Sequence, residues 1–306
     1  MMEAPPRVPR PVMYQHWNWI AFLHWRYSPA VVQSFLPPGL TAETCGGAAW
    51  VGLTPFLMEG VRAPAVPAVP WLSRFGEVNV RTYVHDGRGR GGIWFFSLDA
   101  ARLPAVLAAR AGYRLPYFWS EVSVRAAGDR VAYRCRRRYP GRGARCDAEV
   151  LMGPPLAEAE PGELPLFLTA RYRLFTVIAG RLAAAEAEHR PWPLRRAEVL
   201  RLDQDLLQRA GLPAPAGDVL AHASPGVPVR IGRWYWLRAA QWPPAQPATA
   251  PRCGPAPYRS SLPRRVAERG ADRTGGGPRG CSSAGRAGRP RPPLRSRSSA
   301  PTSVHE

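Results

Sequence analysis

Glu77, Asn79, Arg81 and Tyr83 stand at alternate positions. In an extended segment, alternate side chains share one face. A carboxyl, a carboxamide, a guanidinium and a phenol then lie in a row, with Val78, Val80, Thr82 and Val84 on the opposite face. Arginine in such a row grips a carboxylate as a planar bidentate donor. Glu77 is then an acid/base group or Arg81's partner, and Asn79 and Tyr83 orient what is bound. The same row also fits a solvated sheet face with cross-strand ion pairs, since structural ion pairs gather charges too. The next strand favours a pocket. Trp94, Phe95 and Phe96 are consecutive, so both its faces carry large rings, and a strand apolar on both faces is covered on both sides. Its odd positions add Ser97 and Asp99. Paired odd with odd, Arg81 lies opposite Asp99 and Tyr83 opposite Ser97; a slip of one residue undoes this register.

The elements that must hold this row are mostly hairpins. Residues 1–12 are rich in Pro and Arg and are expected to be disordered. Trp17–Tyr27 is expected as a strand, followed by a short helix Ala30–Leu36 with Ser28 as N-cap and Pro29 at its first position. Leu40–Thr44 and Ala48–Met58 suggest a hairpin turned at Gly46-Gly47. A proline-rich loop at 62–70 precedes the Phe75–Asp99 hairpin. A helix near Pro104–Ala111 is expected to stop at Gly112. Tyr117–Arg125 and Arg130–Arg138 form another hairpin, and 141–145 a loop. Pro161 opens a helix to about Tyr172. Strands follow near 175–182 and 194–202, then a helix over 204–210 capped by Asp203, and a strand over 227–237. The pattern predicts an α+β domain over residues 13–238, built on a large curled or closed antiparallel sheet with a few peripheral helices.

The chain has 306 residues, 42 basic against 22 acidic, and a formal charge of +20. Every basic residue is arginine. A lysine-free chain forms no lysine Schiff base with a substrate or with pyridoxal phosphate, and holds no Walker-type phosphate loop. No cofactor is expected. Five cysteines without a C-x-x-C pair argue against a disulfide framework or a zinc site; Cys135 and Cys146 would pair only in an oxidising compartment. No signal peptide or membrane span is evident, so a reduced cytoplasm is expected. Residues 239–306 are Pro-, Arg-, Gly- and Ser-rich without apolar periodicity. They are expected to be disordered, and their composition also suits an out-of-frame translation of GC-rich DNA.

Several motifs compete for attention. GRGRGG at 87–92 matches G-x-G-x-x-G, but a strand follows it where a dinucleotide fold needs a helix, so it is a hairpin loop. His24 lies in an apolar strand and suits a hydrogen-bonded structural histidine. YRCRRRY at 133–139 mixes arginine with aromatics and suits single-stranded nucleic acid, though such runs also form solvated hairpin faces. Glu163, Arg171 and Arg173 are candidates to extend a pocket.

Nine segments carry a family resemblance: FLHW (22–25), LPPGL (36–40), AWVGLTPFLMEGV (49–61), EVNVRTYV (77–84), WFFSLDA (94–100), LPY (115–117), FLTARYRLF (167–175), PWPL (191–194) and SPGVPV (224–229). In this order they resemble the YqjF-like bacterial family of unknown function, within the acetoacetate-decarboxylase-like superfamily. In its decarboxylases, an aromatic-Gly-Phe-Pro-Lys-Lys motif supplies the Schiff-base lysine. The similar stretch here is 113–118, and Tyr117 fills the lysine position. The strand holding Glu77 resembles the one with the decarboxylases' pocket glutamate. The resemblance implies that the scaffold and an acidic group are kept while the covalent catalyst is gone.

The function expected is binding of a small organic acid or carbonyl compound, or its transformation without a Schiff base. Glu77 and Tyr117 are the catalytic candidates, Asn79, Arg81, Tyr83, Ser97 and Asp99 the ligand-binding ones, and no metal is implied. The rival is an arginine-rich nucleic-acid-binding protein using the tail and residues 133–145; a pocketless structural protein is a third reading.

Overall fold

Alternation of buried and exposed side chains builds most of this molecule. On the strand RVAYRCRRRY, Val131, Tyr133, Cys135 and Arg137 are buried while Arg130, Ala132, Arg134 and Arg138 face water, the period-2 pattern of a sheet with one covered face. The structure, a computed structural model, describes residues 5–156 and 162–237. In chain order it holds β1 (Met13–Tyr27), α1 (Pro29–Gln33), β2 (Leu40–Ala42), β3 (Ala49–Arg62), β4 (Phe75–Asp86), β5 (Gly91–Ala100), α2 (Leu103–Tyr113), β6 (Tyr117–Ala127), β7 (Arg130–Tyr139) and β8 (Arg145–Pro155). Then come α3 (Glu163–Thr169), β9 (Arg173–Ile178), β10 (Arg181–His189), β11 (Arg195–Gln204), α4 (Leu206–Arg209), β12 (Leu220–Ile231) and β13 (Tyr235–Trp236). No helix among the described residues is long and apolar enough to cross a membrane.

Nine strands close into a barrel in the order β4-β5-β6-β7-β8-β11-β12-β1-β3 and back to β4. All pairings in it are antiparallel except β5 with β6. A second circuit leaves the barrel at β5, runs through β9 and β10, and rejoins at β12. The sheet face shared by the two circuits is therefore covered on both sides. Val78, Val80, Ala21 and Leu23 point into the barrel core with Val131, Tyr133 and Val150. Their neighbours Ile20 and Phe22 point the other way, onto Phe56, Met58 and Phe75. This double coverage explains why β4 is buried on both faces. Two glycines permit the close approaches: a Cβ on Gly92 would meet the Phe175 ring at 2.6 Å, and one on Gly52 would meet His24 Nε2 at 2.9 Å.

Several expectations need correction. The turn at Gly46-Gly47 forms, with both glycines at positive φ and Cys45 and Ala48 exchanging backbone hydrogen bonds, but β2 pairs with the edge of β4 and not with β3. Val8, within the stretch expected to be disordered, is buried, and its amide donates to Glu188 Oε2 at 2.6 Å. α2 runs past Gly112 and ends at Arg114, which takes a left-handed conformation with φ of 52°. β8 and β10 were not expected. β10 reads RLAAAEAEH, where alanine and glutamate favour a helix, and pairing with β9, β12 and β13 overrides that preference. The 227–237 segment is two strands, β12 and β13, and β12 begins at Leu220. Cys135 and Cys146 are register partners on β7 and β8 and are free thiols. The 239–306 tail and Pro161 lie outside the described residues.

Candidate functional site

The outward face of β4 opens into a cavity of about 200 Å³ beneath β1, β5, β9, β10 and α2. Glu77, Asn79 and Arg81 line it, as expected from their alternation, and Tyr117 at the start of β6 joins them. Arg171 and Arg173 also line it, while Glu163 is not among its lining residues. Apolar side chains make up most of the remaining wall, among them Trp17, Ile20, Phe56, Met58, Phe75 and Leu98.

Glu77 is 2% exposed, and the Tyr117 hydroxyl donates to its Oε2 at 3.2 Å. Burial, helped by the nearby Asp99 charge and opposed by hydrogen bonds from Tyr117 and Asn79, pushes the Glu77 carboxyl up to about 8. It is therefore protonated at neutral pH and able to donate a hydrogen bond. Burial and the adjoining Glu77 likewise hold the Tyr117 phenol well above its ordinary range.

Arg81 is 5% exposed. Its guanidinium donates to the Leu168 carbonyl at 3.4 Å, lies over the rings of Phe22 and Tyr83, and keeps its Nε without a partner. Among the described residues no carboxylate pairs with it. The other two lining cations differ. Arg171 is ion-paired with Glu43, and Arg173 with Glu186 at 3.0 Å. A buried charge without a counter-ion is costly, and at Arg81 the Leu168 carbonyl and the Phe22 and Tyr83 rings are the groups that offset it.

Tyr83, Ser97 and Asp99 are not among the lining residues. Tyr83 shares a 2.5 Å hydrogen bond with His24 Nε2 and packs its ring beneath Phe167 and Arg171. Burial and the Arg81 charge hold His24 well below its usual pKa, so it is neutral. The expected register between β4 and β5 is wrong. Arg81 pairs with Phe95 and Tyr83 with Ile93, but Val80 pairs with Ser97 and Val78 with Asp99. A β-bulge at Phe96 inserts one residue and reverses the parity. Ile93, Phe95 and Leu98 thus face the cavity, and Ser97 and Asp99 turn into the barrel. There Asp99 accepts a bidentate pair from Arg137 at 2.7 and 2.6 Å and a hydrogen bond from Ser120 at 2.7 Å.

Arg137 is the partner that inspection of the sequence missed. Its signal was its place in register with Val131, Tyr133 and Cys135, since a charge carried to an inward position is stabilised by a buried counter-charge. The same strand weakens the nucleic-acid reading. Arg136 and Arg134 point to Asp147, and Arg138 to Glu121 at 3.0 Å. The barrel takes Tyr133 inside, so of the run's two tyrosines only Tyr139 faces water.

Solved structures share this architecture. An enduracididine biosynthesis enzyme, MppR, complexed with pyruvate superposes with a TM-score of 0.54 at 17% identity, over 77% of this chain and 91% of that one. An acetoacetate decarboxylase from Legionella pneumophila gives a TM-score of 0.54 at 14% identity, over 77% and 92%. The fold is acetoacetate decarboxylase-like. The protein YqjF of Bacillus subtilis, described as uncharacterized, is 35% identical over 211 residues, which are 69% of this chain and 86% of that protein. The family model DUF2071, an uncharacterized conserved protein, matches residues 14–228. From Tyr14 on β1 to Pro228 on β12, then, the chain belongs to the DUF2071 family.

Proposed function

We propose that this protein binds a small organic acid in the cavity on the outer face of β4, with the acid's carboxylate on Arg81. The observation that carries this is the Arg81 guanidinium itself: buried, on the wall of a mostly apolar cavity, and without a carboxylate among the described residues. Asn79 and the protonated Glu77 supply a second polar point, suited to a carbonyl or hydroxyl oxygen on the same molecule. Tyr117 donates to Glu77 and orients it. A protonated carboxyl beside a carbonyl is also a general acid, so any transformation here uses Glu77 as acid/base with no covalent amine. The complex of the fold neighbour MppR with pyruvate supports a small acid as ligand class.

A thermal-shift screen of small carboxylates tests the reading. A ligand at 100 times its Kd adds about 2.7 kcal/mol to the folded state. Hits are expected to stabilise the wild type and to leave Arg81→Met unmoved. If Arg81→Met responds to every hit as the wild type does, the assignment fails.

A further inference from the structure

We propose that the preferred ligand is a monocarboxylate with an extended apolar body, selected over short acids and over dicarboxylates; this deepens the reading of Arg81 as the carboxylate anchor and rests on it. Charge comes first. Of the three arginines on the cavity wall, Arg171 and Arg173 already hold carboxylates. Arg81 is left to neutralise one anionic group. Glu77, kept protonated by burial, adds no charge of its own. A second carboxylate on the ligand would meet Glu77 or hydrocarbon, and an unpaired buried charge is strongly disfavoured.

Direction comes second. Phe75, Glu77, Asn79 and Arg81 follow one another along a strand, so the Cα atoms of Phe75 and Arg81 stand roughly 20 Å apart at about 3.3 Å per residue. The cavity therefore runs from a cationic end at Arg81 to an end at Phe75. That far end is hydrocarbon. Phe75 is paired with Met58 across the strands, and both pack with Phe56, Ile20 and Trp17 and with Ala105 of α2. An acid of two or three carbons anchored on Arg81 leaves this end without contacts, and a void forfeits the dispersion and burial that a longer chain recovers.

Calorimetric titration of the full chain at pH 6.5 with sodium butanoate, hexanoate and decanoate, with adipate and with hexan-1-ol, tests this. Affinity is expected to rise roughly fourfold per added methylene from butanoate to hexanoate. Adipate and hexan-1-ol are expected to bind at least tenfold more weakly than hexanoate. Ala105→Leu, which narrows the apolar end without touching Arg81, is expected to leave butanoate unchanged and to weaken decanoate at least tenfold. Its melting curve checks that it is folded. A flat chain-length series whose binding is still lost in Arg81→Met overturns this inference and spares the carboxylate anchor. Hexan-1-ol binding as well as hexanoate, with Arg81→Met indifferent, overturns the anchor and this inference together, as does failure of every acid to bind.

Discussion

Glu77 couples the cavity to pH. Its carboxyl is held at about 8 in the folded protein against an ordinary 4.5, so the folded state keeps a proton that the unfolded chain releases. Stability from this group is present below pH 4.5 and is lost as pH rises towards 8. His222, lowered to about 4 by burial and Arg196, has the opposite sign and acts between 4 and 6.5. Between pH 6.5 and 8 the Glu77 slope is free of the His222 contribution. The melting temperature of the wild type is expected to fall across that window, and that of Glu77→Gln to stay nearly level, with the variant the more stable at pH 8. A wild-type slope that persists in Glu77→Gln contradicts the assignment. Chemistry at Lys is closed to this chain because it contains no lysine. Borohydride reduction in the presence of acetoacetate is expected to leave no internal adduct in a mass map, and finding one would overturn the non-covalent reading. At this scale the sequence was informative for Glu77, Asn79 and Arg81, whose strict alternation survives in the cavity wall. It misled for Ser97 and Asp99, because the run Trp94-Phe95-Phe96 puts bulk on both faces and hides the bulge.

At the scale of elements, the bulge in β5 separates a binding face from a structural one. Asp99 belongs to the structural face, with Arg137 and Ser120. Replacing Arg137 with methionine strands a buried carboxylate and is expected to cost about 3–5 kcal/mol in denaturant unfolding, while any ligand's affinity for the folded variant stays within twofold. A loss below 1 kcal/mol would show that Asp99 is not held as described. The C-cap of α2 offers a gain. Arg114 sits in left-handed backbone at φ of 52°, where glycine has no Cβ to strain. Arg114→Gly is expected to stabilise by about 1 kcal/mol; a destabilisation would mean that the Arg114 side chain carries more than the strain costs. Gly112 drew the expected helix end two residues early. β8 was legible in its alternation of Cys146, Ala148, Val150 and Met152, but β10 was not, since only its partners make an alanine-rich segment extended.

For the whole molecule, closure decides where the cavity lies, and closure is made by pairings far apart in sequence. β1 pairs with β12, and β5 with β9, contacts that no local periodicity reveals. The expected curled or closed sheet was legible from hairpin density; the second circuit that roofs the β4 face was not. β12 serves both circuits, so a chain ending before Leu220 is expected to be unfolded. β13 pairs with β10 at Tyr235 and Trp236, and a chain ending at Leu237 is expected to melt within about 2 °C of the full length. Cooperative unfolding shifted by 10 °C or more would place stabilising contacts in residues 238–306. A crystal structure of the protein with 4-bromophenylacetate decides whether Arg81 holds an anion inside the β4 cavity. The bromine's anomalous peak is expected inside the cavity on the Phe75 side of Arg81, with the carboxylate within 3.2 Å of the Arg81 guanidinium, the outer limit of an N–H···O hydrogen bond. A fully occupied bromine outside the cavity, or a carboxylate bound there away from Arg81, would contradict it.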